Sequence, residues 1–214
     1  LAFELQQFPS LASLLSFQHG WFYVQDPSTL LAVRELAPQP GESVLDLCAA
    51  PGGKTTYIAQ LMRNEGRLVA QDTDVRRLEL IRQNCERLGI TCARVLSADT
   101  PAGREPFDRI LVDAPCSNTG VIRRRVDARW RLRPEEITRL AALQLDLLRR
   151  AARQLKPGGT LVYSTCSLEP EENRTVVDGF LAGEAGFHLE RERTLFPFME
   201  GVDGAYVARL QRTR

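Results

Sequence analysis

Short runs of apolar residues alternate along this chain with longer segments in which apolar residues recur every three or four positions. The runs predict buried strands, and the longer spacing predicts amphipathic helices. The predicted strands cover residues 43–48, 67–72, 93–99, 107–115 and 160–166. Because strands and helices alternate almost throughout, the pattern predicts an α/β fold built on a doubly wound, mostly parallel sheet.

The predicted helices follow these strands, and turn signals mark several of their ends. They cover residues 54–62, residues 75–88, residues 134 to a KPGG stop signal at 156–159, and residues 170–181. Two further segments, FHLERE and AYVARL, predict a closing pair of antiparallel strands. We interpret residues 41–214 as one domain and residues 1–40 as a lead-in segment with a strand-like WFYVQD stretch and a short helix.

The composition indicates a globular protein and favours one cellular compartment. The chain has 214 residues, of which 43% are hydrophobic, enough for a substantial core. No apolar run approaches the roughly 20 residues that span a bilayer. Five cysteines without a C-x-x-C pair, beside two histidines, give no zinc-ligand spacing and favour a reducing cytoplasm. The first residues lack both Met and a signal-like apolar block, so we expect an upstream segment.

The net charge of the chain is only +1, so the local distribution of charged residues is more informative than the total. Residues 121–133, VIRRRVDARWRLR, hold six arginines against one aspartate, a local net charge of +5. Guanidinium groups suit phosphate, and an indole offers a stacking face for a base. We therefore predict an RNA-binding segment, although a solvated surface is the alternative. Its candidate residues are Arg123, Arg124, Arg125, Arg129 and Trp130.

A small-residue loop follows the first predicted strand, in DLCAAPGGKTT at residues 46–56. A phosphate-binding loop would need glycine where Cys48 stands, and the adjacent glycines do not match a dinucleotide fingerprint. A tight turn that lets backbone approach a ligand remains. Asp72 and Asp99 end the next two strands and could accept hydrogen bonds from ribose and adenine. The set suits a nucleoside without phosphate, with S-adenosylmethionine as the leading candidate, although each aspartate alone is equally typical of a cap or turn.

Two cysteines fall just past the ends of neighbouring predicted strands. Cys116 follows the fourth strand and Cys166 follows the fifth, both on the side where such sheets bind ligands. A free cysteine is more often a small buried hydrophobe, which is our expectation for Cys48, Cys85 and Cys92. The fourth and fifth strands can be neighbours in a doubly wound sheet, so the two thiols are candidates for joint chemistry.

Three segments, in this order and spacing, resemble the RNA cytosine-5-methyltransferase family: DLCAAPGGKTT, VDAPCSNTGVIRR and YSTCSLEPEEN. The similarity extends from Gly20 to Leu210 and is greatest to the bacterial 16S ribosomal RNA type known as Sun/Fmu. It implies a Rossmann-like S-adenosylmethionine-dependent methyltransferase fold. One departure is Val126, where the family usually has proline, which affects the path of the basic loop.

The resemblance also implies roles for individual residues. Cys166 would be the nucleophile that adds to cytosine, and Cys116 would help to release the product. Asp113 would contact the base near N3, where a protonated carboxyl could donate, and would border the methyl donor. The helix predicted after Cys166 would favour its thiolate and Glu169, Glu171 and Glu172 would oppose it, so the sequence alone predicts no lowered pKa. The implied S-adenosylmethionine site comprises Cys48, Ala49, Ala50, Pro51, Gly52, Gly53, Lys54, Asp72, Asp99 and Asp113.

The resulting expectation is a monomeric cytoplasmic enzyme that methylates carbon 5 of a cytosine in RNA, foremost in 16S ribosomal RNA. Three alternatives stay open. The substrate could be transfer RNA. In a DNA cytosine methyltransferase, Cys116 would attack instead, but the TCS motif and the lack of a target-recognition region argue against that class. A non-catalytic RNA-binding factor in ribosome assembly would keep the fold and the arginines without using the thiols.

Overall fold

The computed structural model describes residues 3–5, 10–103 and 105–214. In this part of the chain seven strands form one sheet in the order β3-β2-β1-β4-β5-β7-β6. The strands are β1 (Ser43–Leu47), β2 (Arg67–Asp72), β3 (Ala93–Ser97), β4 (Phe107–Asp113), β5 (Leu155–Thr165), β6 (Phe187–Leu195) and β7 (Ala205–Arg212). The first five pair in parallel, and β7 runs antiparallel to both β5 and β6. The predicted fold class is therefore confirmed.

Helices cover both faces of the sheet, as its connections require. They are α1 (Leu15–Gln18), α2 (Thr29–Leu36), α3 (Gly53–Leu61), α4 (Val75–Arg87), α5 (Ala128–Arg131), α6 (Pro134–Ala152), α7 (Arg174–Gly183) and α8 (Pro197–Glu200). Short 3-10 turns stand at Leu11–Ser13, Thr119–Val121 and Pro170–Glu172. No helix among these described residues is both long enough and apolar enough to cross a membrane.

The core has a layer on each face of the sheet, because successive strand side chains point to opposite sides. On one face, residues such as Leu45 and Val112 pack with α6 and α7. On the other face, Val44 and Leu111 pack with α2 and α3, so the lead-in segment contributes α2 to the core. Most of these side chains are fully buried, which fixes the strands as a rigid support for the loops at their carboxyl ends.

Three local predictions are corrected by the structure. The WFYVQD stretch is not a strand; its Tyr23 and Gln25 lie against Gly53, where an added Cβ would stand 2.8 Å from each. The KPGG segment lies inside β5, because the register with β4 jumps between Leu155 and Thr160 and the residues between them bulge outward. The helix expected from residue 170 is a 3-10 turn, and α7 begins only at Arg174.

Candidate active site

The sulfur atoms of Cys116 and Cys166 lie 3.2 Å apart. This proximity follows from the sheet, because β4 and β5 are neighbours whose last parallel rung pairs Asp113 with Ser164. The loops that leave the two strands therefore start side by side, and each brings its cysteine to the same place two or three residues later. The structure thus brings the two predicted thiols together.

Asn118 connects the two cysteine loops. It adopts the left-handed backbone conformation (φ 62°), and its side-chain Nδ2 donates to the carbonyl of Cys116 over 2.7 Å. Its Oδ1 accepts from the Cys166 thiol over 3.0 Å. Gly120 lies beneath the same loop, where an added Cβ would stand 2.8 Å from the carbonyl oxygen of Cys166. A larger residue at position 120 would push the loops apart.

The two thiols are electrostatically unequal. A hydrogen bond from Cys116 lowers the pKa of the Cys166 thiol, and the charge on Lys54 lowers it further, against burial and the carboxylate of Asp113. The same hydrogen bond, together with burial, raises the pKa of Cys116 well above its ordinary value. Cys166 is therefore the thiol that ionises first.

Lys54 and Asp113 form an ion pair beside the thiols, with Nζ 2.7 Å from Oδ2. The other carboxylate oxygen of Asp113 accepts from the Ser164 hydroxyl over 2.8 Å. Burial disfavours the charge on Lys54, but Asp113 outweighs it and the pKa of Lys54 is raised. In this arrangement Asp113 accepts hydrogen bonds from both Lys54 and Ser164, so Lys54 is a second candidate donor beside the thiols.

A cavity of about 180 Å³ opens beyond the carboxyl ends of β1, β2 and β3. Its lining includes Cys48, Asp72, Asp99 and apolar residues. Arg150 of α6 also lines the cavity, and the sequence analysis did not predict it. The carboxylate of Asp72 accepts from the backbone N–H of Ala50 over 3.0 Å, which ties the small-residue loop to the end of β2. Each carboxylate oxygen has a second lone pair, so Asp72 can still accept from a ligand hydroxyl. Neither Cys116 nor Cys166 is among the residues that line this cavity.

The electrostatics around the cavity fit a cationic nucleoside. Burial, followed by the charges of Asp113, Asp72 and Asp46, raises the pKa of Cys48 to about 12, so this thiol stays neutral. Asp46 is fully buried, which raises its pKa to about 7, and its Oδ1 has no hydrogen-bond partner among the described residues. The charged residues that line the cavity are two carboxylates, Asp72 and Asp99, and one guanidinium, Arg150, which favours a sulfonium or ammonium group over a phosphate. The residues present therefore fit S-adenosylmethionine.

Two of the predicted RNA-binding arginines have acidic partners. Arg123 and Arg124 both pair with Asp26, at 3.0 and 2.8 Å, and both also bond to Asp203. The carboxylates are nearly buried, with 8% and 5% of the side chain exposed, and the backbone N–H of Asp203 donates to Asp26 over 3.0 Å. Hydrogen bonds from Ser28, Asp203 and Arg124 outweigh burial and hold the pKa of Asp26 below its ordinary range. The two arginines thus join the lead-in segment to the thiol loop.

The other predicted RNA-binding residues lie on the surface. Arg125 and Arg129 are exposed, and 85% of Trp130 is accessible to solvent. They lie in the segment that connects the Thr119–Val121 turn to α6, which begins at Pro134. The whole described part of this set is therefore on the surface, and Arg123 and Arg124 differ in being ion-paired with Asp26 and Asp203.

The sequence analysis missed the residues that join the two cysteine loops. Ser117, Ser167 and Glu172 form one buried hydrogen-bonded cluster. Glu172, one of the three glutamates expected to oppose the Cys166 thiolate, is completely buried. The signal available in the sequence is that a serine directly follows each of the two cysteines.

The sheet, the cavity at its carboxyl edge and the paired thiols together have the architecture of the Rossmann-like, S-adenosylmethionine-dependent methyltransferase fold. Residues 33–211 match the 16S rRNA methyltransferase RsmB/F family, and the chain belongs to that family.

Relatives of this chain carry ribosomal RNA names. The chain is 45% identical over 210 residues to ribosomal RNA small subunit methyltransferase B of Vibrio cholerae, covering 93% of this chain and 48% of the relative. The corresponding protein of Erwinia tasmaniensis is 44% identical over 221 residues, covering 98% of this chain and 51% of the relative. The chain thus spans about half the length of the curated relatives it matches.

A similar solved structure is that of NSun6 from Pyrococcus horikoshii with SFG. It superimposes with a TM-score of 0.87 at 32% sequence identity, and the match covers 97% of this chain and 57% of that one. The likeness therefore extends over both the sheet and the loops that hold the thiols.

Proposed function

We propose that this protein transfers a methyl group from S-adenosylmethionine to carbon 5 of a cytosine in ribosomal RNA, through a covalent adduct with Cys166. The observation that carries the proposal is the contact between the Cys116 and Cys166 sulfur atoms, 3.2 Å apart. The Lys54–Asp113 ion pair stands beside them. Family membership and the names of the relatives support the small-subunit ribosomal RNA as the substrate.

The chemistry requires a thiolate, because carbon 5 of cytosine is a poor nucleophile. Addition of sulfur to carbon 6 converts the ring into an enamine whose carbon 5 can attack an electrophilic methyl group. Cys166 suits this step because the hydrogen bond from Cys116 and the charge of Lys54 lower its pKa. The target base must leave its stack to reach the sulfur.

The ring also needs a donor for the charge that develops at N3 during addition. In this mechanism Lys54 supplies the positive charge and Asp113 orients it, with Ser164 holding the second carboxylate oxygen. The loop from Cys48 to Lys54, with Asp72, Asp99 and Asp113, would hold S-adenosylmethionine, which supplies the methyl group when bound.

Cys116 has its role after methyl transfer. While Cys166 is an anion, the pKa of Cys116 is raised and its proton stays in place. Once the sulfur of Cys166 is bonded to carbon 6, Cys166 carries no negative charge and therefore no longer raises the pKa of Cys116. Cys116 can then lose its proton to solvent and, as a thiolate, accept the proton of carbon 5, after which expulsion of Cys166 as thiolate restores the aromatic ring.

The direct test is methyl transfer to ribosomal RNA. The chain is incubated with S-adenosylmethionine carrying an isotopic methyl label and with unmodified small-subunit ribosomal RNA, and the RNA is digested to nucleosides. We expect label in 5-methylcytidine at one cytosine. If transfer RNA tested in the same way became labelled and ribosomal RNA did not, transfer RNA would be the substrate. Binding of RNA without any label would favour the assembly-factor alternative.

We propose Arg125, Arg129 and Trp130 as the exposed RNA-contacting surface. Replacing both arginines by glutamine should weaken RNA binding and reduce the slope of log K against log salt by about 1.5, at roughly 0.7 for each lost phosphate contact to a single strand. The measurement is a salt titration of binding by fluorescence anisotropy.

The matched control for this surface is Arg124→Gln. This change removes an arginine bound to Asp26 and Asp203, so it should lower the melting temperature more than it changes the salt slope. An unchanged slope in the Arg125/Arg129 double variant would assign those arginines to solvated surface.

A further inference from the structure

Glu172 is a completely buried carboxyl group that the mechanism above does not use. It ends the Pro170–Glu172 turn, which follows the loop of Cys166. Its backbone carbonyl accepts from the hydroxyl of Tyr163 in β5, so the residue is tied to the sheet as well. A charged group is seldom buried unless its hydrogen bonds serve a purpose.

Four donors converge on the two oxygens of Glu172. Oε1 accepts from the backbone N–H of Ser117 over 2.9 Å and from Gln144 Nε2 over 3.0 Å. Oε2 accepts from the Ser167 hydroxyl over 2.6 Å and from the Ser117 hydroxyl. Each oxygen of Glu172 thus takes part in two hydrogen bonds.

The position of these donors in the sequence connects Glu172 with both thiols. Ser117 directly follows Cys116, and Ser167 directly follows Cys166. Gln144 is also buried and donates to the carbonyl of Pro115 over 2.9 Å, on the other side of Cys116. Glu172 therefore binds the serine after each thiol and, through Gln144, is linked to the residue before Cys116.

We propose that Glu172 is a positioning residue that sets the distance between the two sulfur atoms by binding the serine after each cysteine. The proposal rests on the proposed function, because the thiol contact matters only if Cys166 reacts and Cys116 assists it. Without the carboxylate, the serines lose their common acceptor; the contact between their hydroxyls and the bonds of Asn118 remain, but the loops can shift relative to each other. The hydrogen bond from Cys116 to Cys166 would then lengthen, and Cys166 would lose the interaction that favours its thiolate.

The test measures thiol reactivity, which does not depend on RNA. The 214-residue chain is alkylated with iodoacetamide between pH 6 and 10, and the labelled Cys166 peptide is quantified by mass spectrometry. In Glu172→Ala the alkylation rate of Cys166 at pH 7 should fall about tenfold, as a rise of one in the thiol pKa gives. Glu172→Gln, which keeps one acceptor oxygen, should recover part of the rate.

A double variant separates positioning from general destabilisation. In Cys116→Ala, the thiol that Glu172 positions is gone, so adding Glu172→Ala should change the Cys166 pH profile no further. An equal additional shift in that background would overturn the proposal. Glu171→Ala is the matched control, because Glu171 is the exposed neighbour in the same turn and should leave the profile unchanged.

Two further results complete the test. If Glu172→Ala does not fold, Ser117→Ala and Ser167→Ala each remove one hydroxyl from the cluster and should each give a smaller shift in the same direction; no shift in either would overturn the proposal.

Wild-type methyl transfer is measured in parallel. If Glu172→Ala leaves the reactivity of Cys166 unchanged while the wild-type chain methylates RNA, the positioning role of Glu172 is refuted and the proposed function stands. If Glu172→Ala shifts that reactivity while the wild-type chain does not methylate RNA, the proposed function is refuted and the positioning role stands.

Discussion

Replacing Cys166 with alanine should abolish methyl transfer, with a loss of at least about 10⁴-fold in kcat, the scale on which enzymes lose activity when the nucleophile is removed. Carbon 5 has no other route to an enamine, so binding without sulfur addition leaves the ring unreactive. The measurement is single-turnover transfer of labelled methyl to ribosomal RNA, with covalent RNA capture scored on a denaturing gel.

The pH dependence of the first turnover gives a second readout for Cys166. Because its pKa is lowered, the thiolate is populated below the ordinary thiol value of about 8.5. The rate of adduct formation should therefore rise with pH and level off at a midpoint below that value. A midpoint at or above it would contradict the activation described for the thiol pair.

The control for Cys166→Ala is Cys92→Ala, a thiol that packs beside the hydrophobic core formed by α2 and α3. This variant should retain methyl transfer. If Cys166→Ala still formed the adduct and Cys116→Ala did not, the nucleophile would be Cys116 and the mechanism would be of the DNA-methyltransferase type.

The sequence could predict what depends on strand order and strand ends. Hydrophobic runs located the strands, and Cys116 and Cys166 were placed together because parallel strands direct their carboxyl ends to one edge of a sheet. The same rule placed Asp72 and Asp99 at one cavity. These inferences needed no knowledge of side-chain contacts.

What the sequence could not predict depends on contacts between distant segments. The pairing of Asp26 with Arg123 joins residues 97 positions apart, and a run of arginines is equally typical of a free surface. Glu172 follows another glutamate in a polar segment, and only its contact with Ser117, 55 positions away, explains its burial. In the strand-like WFYVQD stretch, Tyr23 and Gln25 contact the glycine loop, a long-range contact that its apolar pattern does not reveal.

Replacing Cys116 with alanine should have the opposite signature to loss of Cys166. The nucleophile is intact, so addition and methyl transfer can occur once, but release lacks the group that assists loss of the carbon-5 proton. We expect a protein–RNA adduct that accumulates to a stoichiometric fraction of the enzyme, while multiple-turnover kcat falls by 10² to 10⁴-fold, the contribution of a general acid or base.

The Cys116 variant should also change the first step, which separates its two effects. Removing the hydrogen bond that lowers the pKa of Cys166 moves the midpoint of adduct formation to higher pH, so the first turnover at pH 7 becomes slower although it still occurs. Mass spectrometry of the trapped complex should show Cys166 bonded to a cytosine that already carries the methyl group. An adduct on unmethylated cytosine would place the block before methyl transfer and assign Cys116 to activation of Cys166 alone.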